Sequence, residues 1–174
     1  MRFETKQRIS GSVDEVERAL LDERYLDYLL EHHGVLLEVK LLDRQEKGDT
    51  VHRKVRYRPR PVIRTIGPKT VPPEWFAFVE TSTYDRKRKE LRFTNAATSE
   101  AIRSLLVNSG TLKLRDAGGG VTERTMEGEI SLKLPFFMKP LALIGERVIQ
   151  SEGMKILDAE VPVLNRFISE RVRA

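Results

Sequence analysis

Arg53 and Glu80 interrupt alternating faces that are otherwise apolar. Val51, Val55 and Tyr57 flank the first, and Phe76, Phe78 and Tyr84 flank the second. A charge held away from water without a partner is very costly, so the two residues are expected to pair if their strands are neighbours. With Asn95 and Asn108 such a pair could fix a polar head group while aliphatic side chains hold an apolar tail. The same setting could instead serve proton transfer, with Glu80 as acid or base at a displaced pKa and Tyr57 or Tyr84 as helper. The plainer alternatives are a satisfied ion pair near the open end of a sheet, or a bulge that turns one of the two outward.

Other chemistries find little support. There is no cysteine, which excludes disulfides, thiolate metal sites and a cysteine nucleophile. Of the three histidines, His32 and His33 close a helical stretch, where the helix dipole favours their charge, and His52 sits on the outward face of a strand. They do not form a zinc-type ligand set, and neither H-E-x-x-H nor G-x-S-x-G occurs. No catalytic residue is assigned, and no metal or cofactor is expected. The glycines of "DAGGGV" lie between two strands, where they supply the positive φ values of a hairpin turn; a phosphate-binding loop would open a helix.

The elements that must position these residues are legible as changes of period. Residues Arg2 to Ile9 alternate, with Phe3, Thr5, Gln7 and Ile9 on one face, which predicts a half-buried antiparallel strand. Ser12 and Glu15 form a capping box, and a helical stripe follows to His33, with a break expected near Leu21 to Glu23; Gly34 ends it. Val35, Leu37, Val39 and Leu41 are expected to share one face of a strand that turns at "EKGD" into its partner. "RPRPVIRTIGPKTVPPEW" carries five of the eight prolines and predicts a long loop or edge crossing. Strands are predicted over Trp75–Tyr84, Glu90–Ala96, Arg103–Arg115 and Thr122–Leu134. The last has Met126, Gly128, Ile130, Leu132 and Leu134 inward. Trp75, Phe76 and Phe78 are expected in the core or in a cavity wall.

From Leu132 the stretch "LKLPFFMKPLALIGERVIQ" passes from period two to a helical period, with Pro140 where the first turn begins. A long amphipathic helix then runs nearly to the end. Gly145, Ile149 and Gly153 lie on one side of it, and each mid-helix glycine costs about 1 kcal/mol relative to alanine. Small side chains are wanted there either for close packing or for room beneath the helix. Phe136, Phe137 and Met138 at the knuckle read first as a plug for the sheet end, then as a ligand wall or a tip that touches a membrane.

The 174 residues carry 31 basic and 26 acidic side chains, a net charge of +5, with 40% hydrophobic residues, which predicts one folded domain over 1–174 with a sizeable core. No apolar run approaches the ~20 residues of a membrane span, and the start of the chain lacks the pattern of a signal peptide. The expectation is a cytoplasmic protein, with peripheral contact at an anionic membrane as a further option. Without a basic helix or aromatic residues interleaved with arginine, no nucleic-acid partner is expected. The sequence does not specify an oligomeric state.

The order of one strand, one or two short helices, about six antiparallel strands and one long helix leaves only the final helix to cover the apolar hollow of a curved sheet. That order, with "MRFETKQRISGSVDEVERALLDERYL", "TVPPEWFAFVETSTYD" and "SGTLKLRDAGGGVTERTMEGEISLKLPFFMKPLALIGERVIQSEG", resembles the START-like helix-grip superfamily (SRPBCC), which includes the birch-pollen-allergen fold. Within it the nearest resemblance is to DUF2505, a bacterial family of unknown function. The resemblance implies an α+β helix-grip fold whose antiparallel sheet of about six or seven strands wraps around the carboxyl-terminal helix. It also implies an elongated cavity between them, used in relatives for lipids, sterols, polyketides or hormones. The residues expected to line it are Arg53, Val55 and Tyr57; Phe76, Phe78 and Glu80; Phe93 and Asn95; Asn108; and Met126 and Ile130. From the helix come Leu141, Gly145, Ile149 and Gly153. Two functions follow as expectations: binding or transport of a hydrophobic, lipid-like small molecule, or a cyclase or aromatase of the polyketide kind.

Overall fold

The protein is described by a computed structural model covering residues 1–61, 65–66, 69–70, 72–133 and 139–174, with the backbone alone at 65–66, 69–70, 101–102, 139–142 and 144. Strand β1 (Arg2–Ser10) is followed by helices α1 (Val13–Leu21) and α2 (Glu23–His32). Strands β2 (Leu36–Lys47) and β3 (Thr50–Pro59) come next, then the short strands β4 (Thr65–Ile66) and β5 (Lys69–Thr70) and a 3-10 turn at Pro73–Phe76. Strands β6 (Phe78–Asp85) and β7 (Glu90–Ala97), helix α3 (Glu100–Arg103), and strands β8 (Leu106–Asp116) and β9 (Val121–Leu132) complete the middle of the chain. Helix α4 (Lys139–Phe167) ends in a π-helical turn at Ile168–Val172. Seven strands form one antiparallel sheet in the order β1-β9-β8-β7-β6-β3-β2, and β4 pairs with β5 in a small sheet of its own.

Local chemistry sets the early boundaries. The Ser12 hydroxyl accepts from the Glu15 amide at 3.3 Å, and Glu15 accepts from the Ser12 amide at 2.7 Å. The expected break falls at Asp22, which closes α1 and then caps α2 by accepting from the Arg24 amide at 2.9 Å. Gly34 after α2 and Gly48 in the β2–β3 turn have φ of +70° and +57°, conformations that only glycine adopts without strain.

Two expectations are corrected. Val35 and Leu37 are exposed, while Leu36 and Val39 are buried, because the pairing with β3 shifts between Leu36 and Glu38 and so changes which side chains face inward. The segment before β6 does not begin as a strand at Trp75. Pro72 and Pro73 lack ladder donors, and the chain makes a 3-10 turn in which Trp75 is 39% exposed and Phe76 is half-buried, off the sheet's inward face.

The sheet curves around α4. Near β1 and β9 this grip is pinned by polar bonds: Gln7 donates to Asp158 at 2.9 Å, Arg124 donates to Glu160 at 2.8 Å, and Glu146 accepts from the Leu132 amide at 2.9 Å. Helices α1, α2 and the last part of α4 close one end of the concavity as a solid core. Val16, Ala19, Val55, Leu164 and Ile168 have no exposed surface there, and the Phe167 ring packs 5.1 Å from Tyr25 and 5.2 Å from Tyr28. Across the sheet, Phe3 faces Gly128, Gly128 faces Gly110, and Gly110 faces Phe93. A Cβ at Gly128 would lie 2.5 Å from the Phe3 ring and 2.7 Å from the Ser109 carbonyl oxygen. The glycines therefore let two aromatic rings lie flat over the bend.

Candidate functional site

The inward face of the sheet divides into a packed end and a loose end. At the packed end Val51, Arg53, Tyr84, Leu91, Leu112, Met126 and Arg124 are buried. At the other end Tyr57, Phe78, Asn95, Asn108, Leu106 and Leu132 keep part of their surface although they share the same face. Glu80 and Tyr57 show what that surface is. Burial pushes the Glu80 carboxyl up, with Arg53 and Ser82 opposing the rise, and burial followed by the charge of Glu80 pushes the Tyr57 hydroxyl up. Both groups are thus shielded from bulk water although neither is fully covered.

Helix α4 gives the same answer from above. Ile149, Gly153, Ile156 and Glu160 follow at three- and four-residue intervals on the stripe that faces the sheet, as the Arg124–Glu160 contact fixes. Among the described residues a Cβ on Gly153 would meet nothing within 4 Å, whereas one on Gly145 would lie 2.6 Å from Leu132 Cδ1. The two glycines thus separate the alternatives: Gly145 serves close packing and Gly153 borders open space. Gly153→Ala is expected to stabilise the protein by up to about 1 kcal/mol through helix propensity alone. Gly145→Ala should lose that gain by pushing Leu132 aside. Urea denaturation of the two variants checks this; equal effects would mean that Gly153 is as tightly covered as Gly145.

The register sets the polar residues. Val55, Glu80, Asn95, Asn108 and Ile130 stand opposite one another in a row across five strands. The expected Arg53–Glu80 ion pair does not form. Arg53 stands opposite Ser82, one step along the inward face, and donates from Nη1 to the Leu20 carbonyl at 2.6 Å, at the last turn of α1. Ser82 is 2% exposed and its hydroxyl helps to hold the Glu80 carboxyl down, while Asn95 Oδ1 is buried without a hydrogen-bond partner among the described residues. Val55, Phe93 and Met126 belong to the packed core cluster, and Ile130 is buried beyond it. Phe78 stacks on Tyr57 at 5.4 Å. The Leu141 side chain, and Phe136, Phe137 and Met138, lie outside the described residues.

A second polar group stands at the border between the two ends. Arg124 is 1% exposed and donates from Nε and Nη2 to Gln7 Oε1 at 2.9 and 2.6 Å, as well as to Glu160. Tyr25 donates to the other Glu160 oxygen at 3.1 Å. The signal for Arg124 was available: it lies two residues before Met126, on the inward phase of β9.

Among the described residues no group of three or more acidic or histidine side chains is gathered for a metal ion, and no helix is long and apolar enough to cross a membrane. A family model described as "Protein of unknown function (DUF2505)" matches residues 4–168. The chain belongs to the DUF2505 family. No curated protein matches this DUF2505 sequence. Its fold is similar to the Zhui aromatase/cyclase from Streptomyces sp. R1128, with a TM-score of 0.65 at 14% identity over 100% of this chain and 96% of that one. It is also similar to norcoclaurine synthase from Thalictrum flavum, solved with dopamine and hydroxybenzaldehyde, with a TM-score of 0.66 at 12% identity over 98% of this chain and 87% of that one. At such identities the likeness establishes that this DUF2505 protein has the helix-grip fold, and nothing finer.

Proposed function

We propose that the protein encloses a hydrophobic, lipid-like small molecule between the concave face of the sheet and α4, as a carrier or sensor. The observation that carries this reading is the open space at Gly153, on a stripe pinned to the sheet on both sides by Glu146 and Glu160. Water gains little in a hollow walled by Phe78, Leu106, Leu132 and Ile149, whereas each methylene transferred there from water is worth about 0.8 kcal/mol. A peripheral contact with an anionic membrane, for loading, is supported by the exposed Trp75 and Leu143 and by the net positive charge.

Native mass spectrometry of protein purified without detergent tests the reading. A co-purified apolar molecule is expected, and Gly153→Trp, which fills the hollow from the helix side, should release it while the protein stays folded. Unchanged occupancy in Gly153→Trp would count against the hollow as the binding place.

A second reading, a cyclase- or aromatase-like enzyme, is favoured by Glu80, a carboxyl on this face whose pKa burial pushes up, near Tyr57. Turnover of a polyketide-like substrate that Glu80→Gln abolishes would support it over simple carriage.

A further inference from the structure

We infer that the protein docks on an anionic bilayer through one edge of its sheet, β2 with the end of β3, and so holds the loose end of the hollow against the lipid. The inference rests on the proposed membrane contact and names the surface that makes it. Among the described residues five large hydrophobic side chains are exposed, and three of them, Val35, Leu37 and Leu42, lie on the edge strand β2 or directly before it. A fourth, Trp75, sits on the 3-10 turn that leads into β6, beside the end of β3, where Phe78 pairs with Tyr57. A single exposed leucine is ordinary, but four apolar side chains gathered on one strand and its neighbouring turn mark a contact surface.

Cations surround them. On the outward face Lys40 stands opposite Arg56 and Glu38 opposite Arg58, and the Val35 carbonyl accepts from the Arg60 amide at 2.8 Å. Glu38 lies 3.3 Å from Arg56 and 3.4 Å from Arg58, and one carboxylate shared in this way leaves both guanidiniums with donors to spare. Together with Glu74 on the turn, the edge sets two carboxylates against the four cations Lys40, Arg56, Arg58 and Arg60. The opposite edge has the reverse balance, since Glu4, Glu127 and Glu129 outnumber Arg2 and Lys6 on the outward face of β1 and β9. An anionic surface is therefore drawn to the β2 edge and repelled from the β1 edge. The aliphatic side chains choose between anionic partners: a bilayer interface takes up Val35 and Leu37, whereas the phosphates of a nucleic acid offer them nothing. Tyr57, between Arg56 and Arg58 in the chain, faces inward at the loose end of the hollow, so docking brings that end next to the lipid.

The test is co-sedimentation with vesicles of phosphatidylcholine alone and of phosphatidylcholine mixed equally with phosphatidylserine. Binding is expected to the anionic vesicles only, and should weaken as salt is raised. Lys40→Ala with Arg60→Ala should weaken it about 25-fold, at about fivefold for each cation removed. Lys6→Ala with Arg8→Ala removes the same charge from exposed positions on β1 and should leave binding unchanged. Trp75 is the only tryptophan, so a blue shift of its emission on docking reads this surface directly. No binding to the anionic vesicles, an equal loss in the two double variants, or docking that leaves the Trp75 emission unshifted overturns the inference, as does tighter binding of a DNA duplex than of the vesicles. None of these outcomes bears on a co-purified apolar molecule, so the carrier reading stands or falls separately by native mass spectrometry.

Discussion

Replacing Arg124 by alanine is expected to lower the free energy of unfolding by about 3–5 kcal/mol, the range for removing one partner of a buried ion pair. Its guanidinium is 1% exposed and ties three elements: β9 by its backbone, β1 through Gln7, and α4 through Glu160. Without it, Glu160 loses its cation and Gln7 Oε1 loses two donors, at a position where water has little access. The pair Arg124→Met with Glu160→Leu should recover much of the loss, because it removes both charges together and leaves apolar volume behind. Chemical denaturation of the two variants decides the matter. A loss below about 1 kcal/mol for Arg124→Ala would show that the network is effectively solvated.

Gly110→Ala is expected to be nearly as damaging, by about 3 kcal/mol, at the upper end of the cost of overpacking. The added methyl would run into the carbonyl oxygen of Glu127 and lie 2.8 Å from Cζ of Phe93. No rotamer relieves a clash made by Cβ itself, and the oxygen belongs to the adjacent strand of the sheet. The backbone must therefore move where the sheet bends. Thermal unfolding should show a drop of several degrees in Tm, since 1 kcal/mol shifts a domain of this size by about 2–4 °C. An unchanged Tm would mean that the bend does not depend on the paired glycines.

The parts of the fold that were legible in the sequence are those where one local rule acted alone. The capping box at Ser12 and Glu15, the alternation of β1 and β9, and the three-glycine turn at Gly118, Gly119 and Gly120, all with positive φ, lie where expected. Errors came where a neighbour intervened. A bulge against β3 changed the phase of β2, so Leu36 rather than Leu37 faces the core, and no residue type in that strand announces the slip.

In the candidate site the row of Glu80, Asn95 and Asn108 could be seen from alternation, but its partners could not. Alternation alone pairs Arg53 with Glu80 because both interrupt apolar faces, whereas the last turn of α1 presents a carbonyl that takes the guanidinium instead. The Arg124–Glu160 pair joins residues 36 apart in sequence, one on a period of two and the other on a helical period. Only their placement in space brings the two patterns together.

The sheet order has a kinetic consequence. Strands β6, β7 and β8 each pair with the next strand in the chain, as β2 does with β3, so most of the sheet can zip up through short loops. β1 pairs instead with β9, and Arg2 meets Glu129. Closing so long a loop is entropically slow, which makes this seam the expected late step of refolding. Until it forms, β9 is an open edge with half of its amides unpaired, and a second chain in the same unfinished state could supply the missing strand.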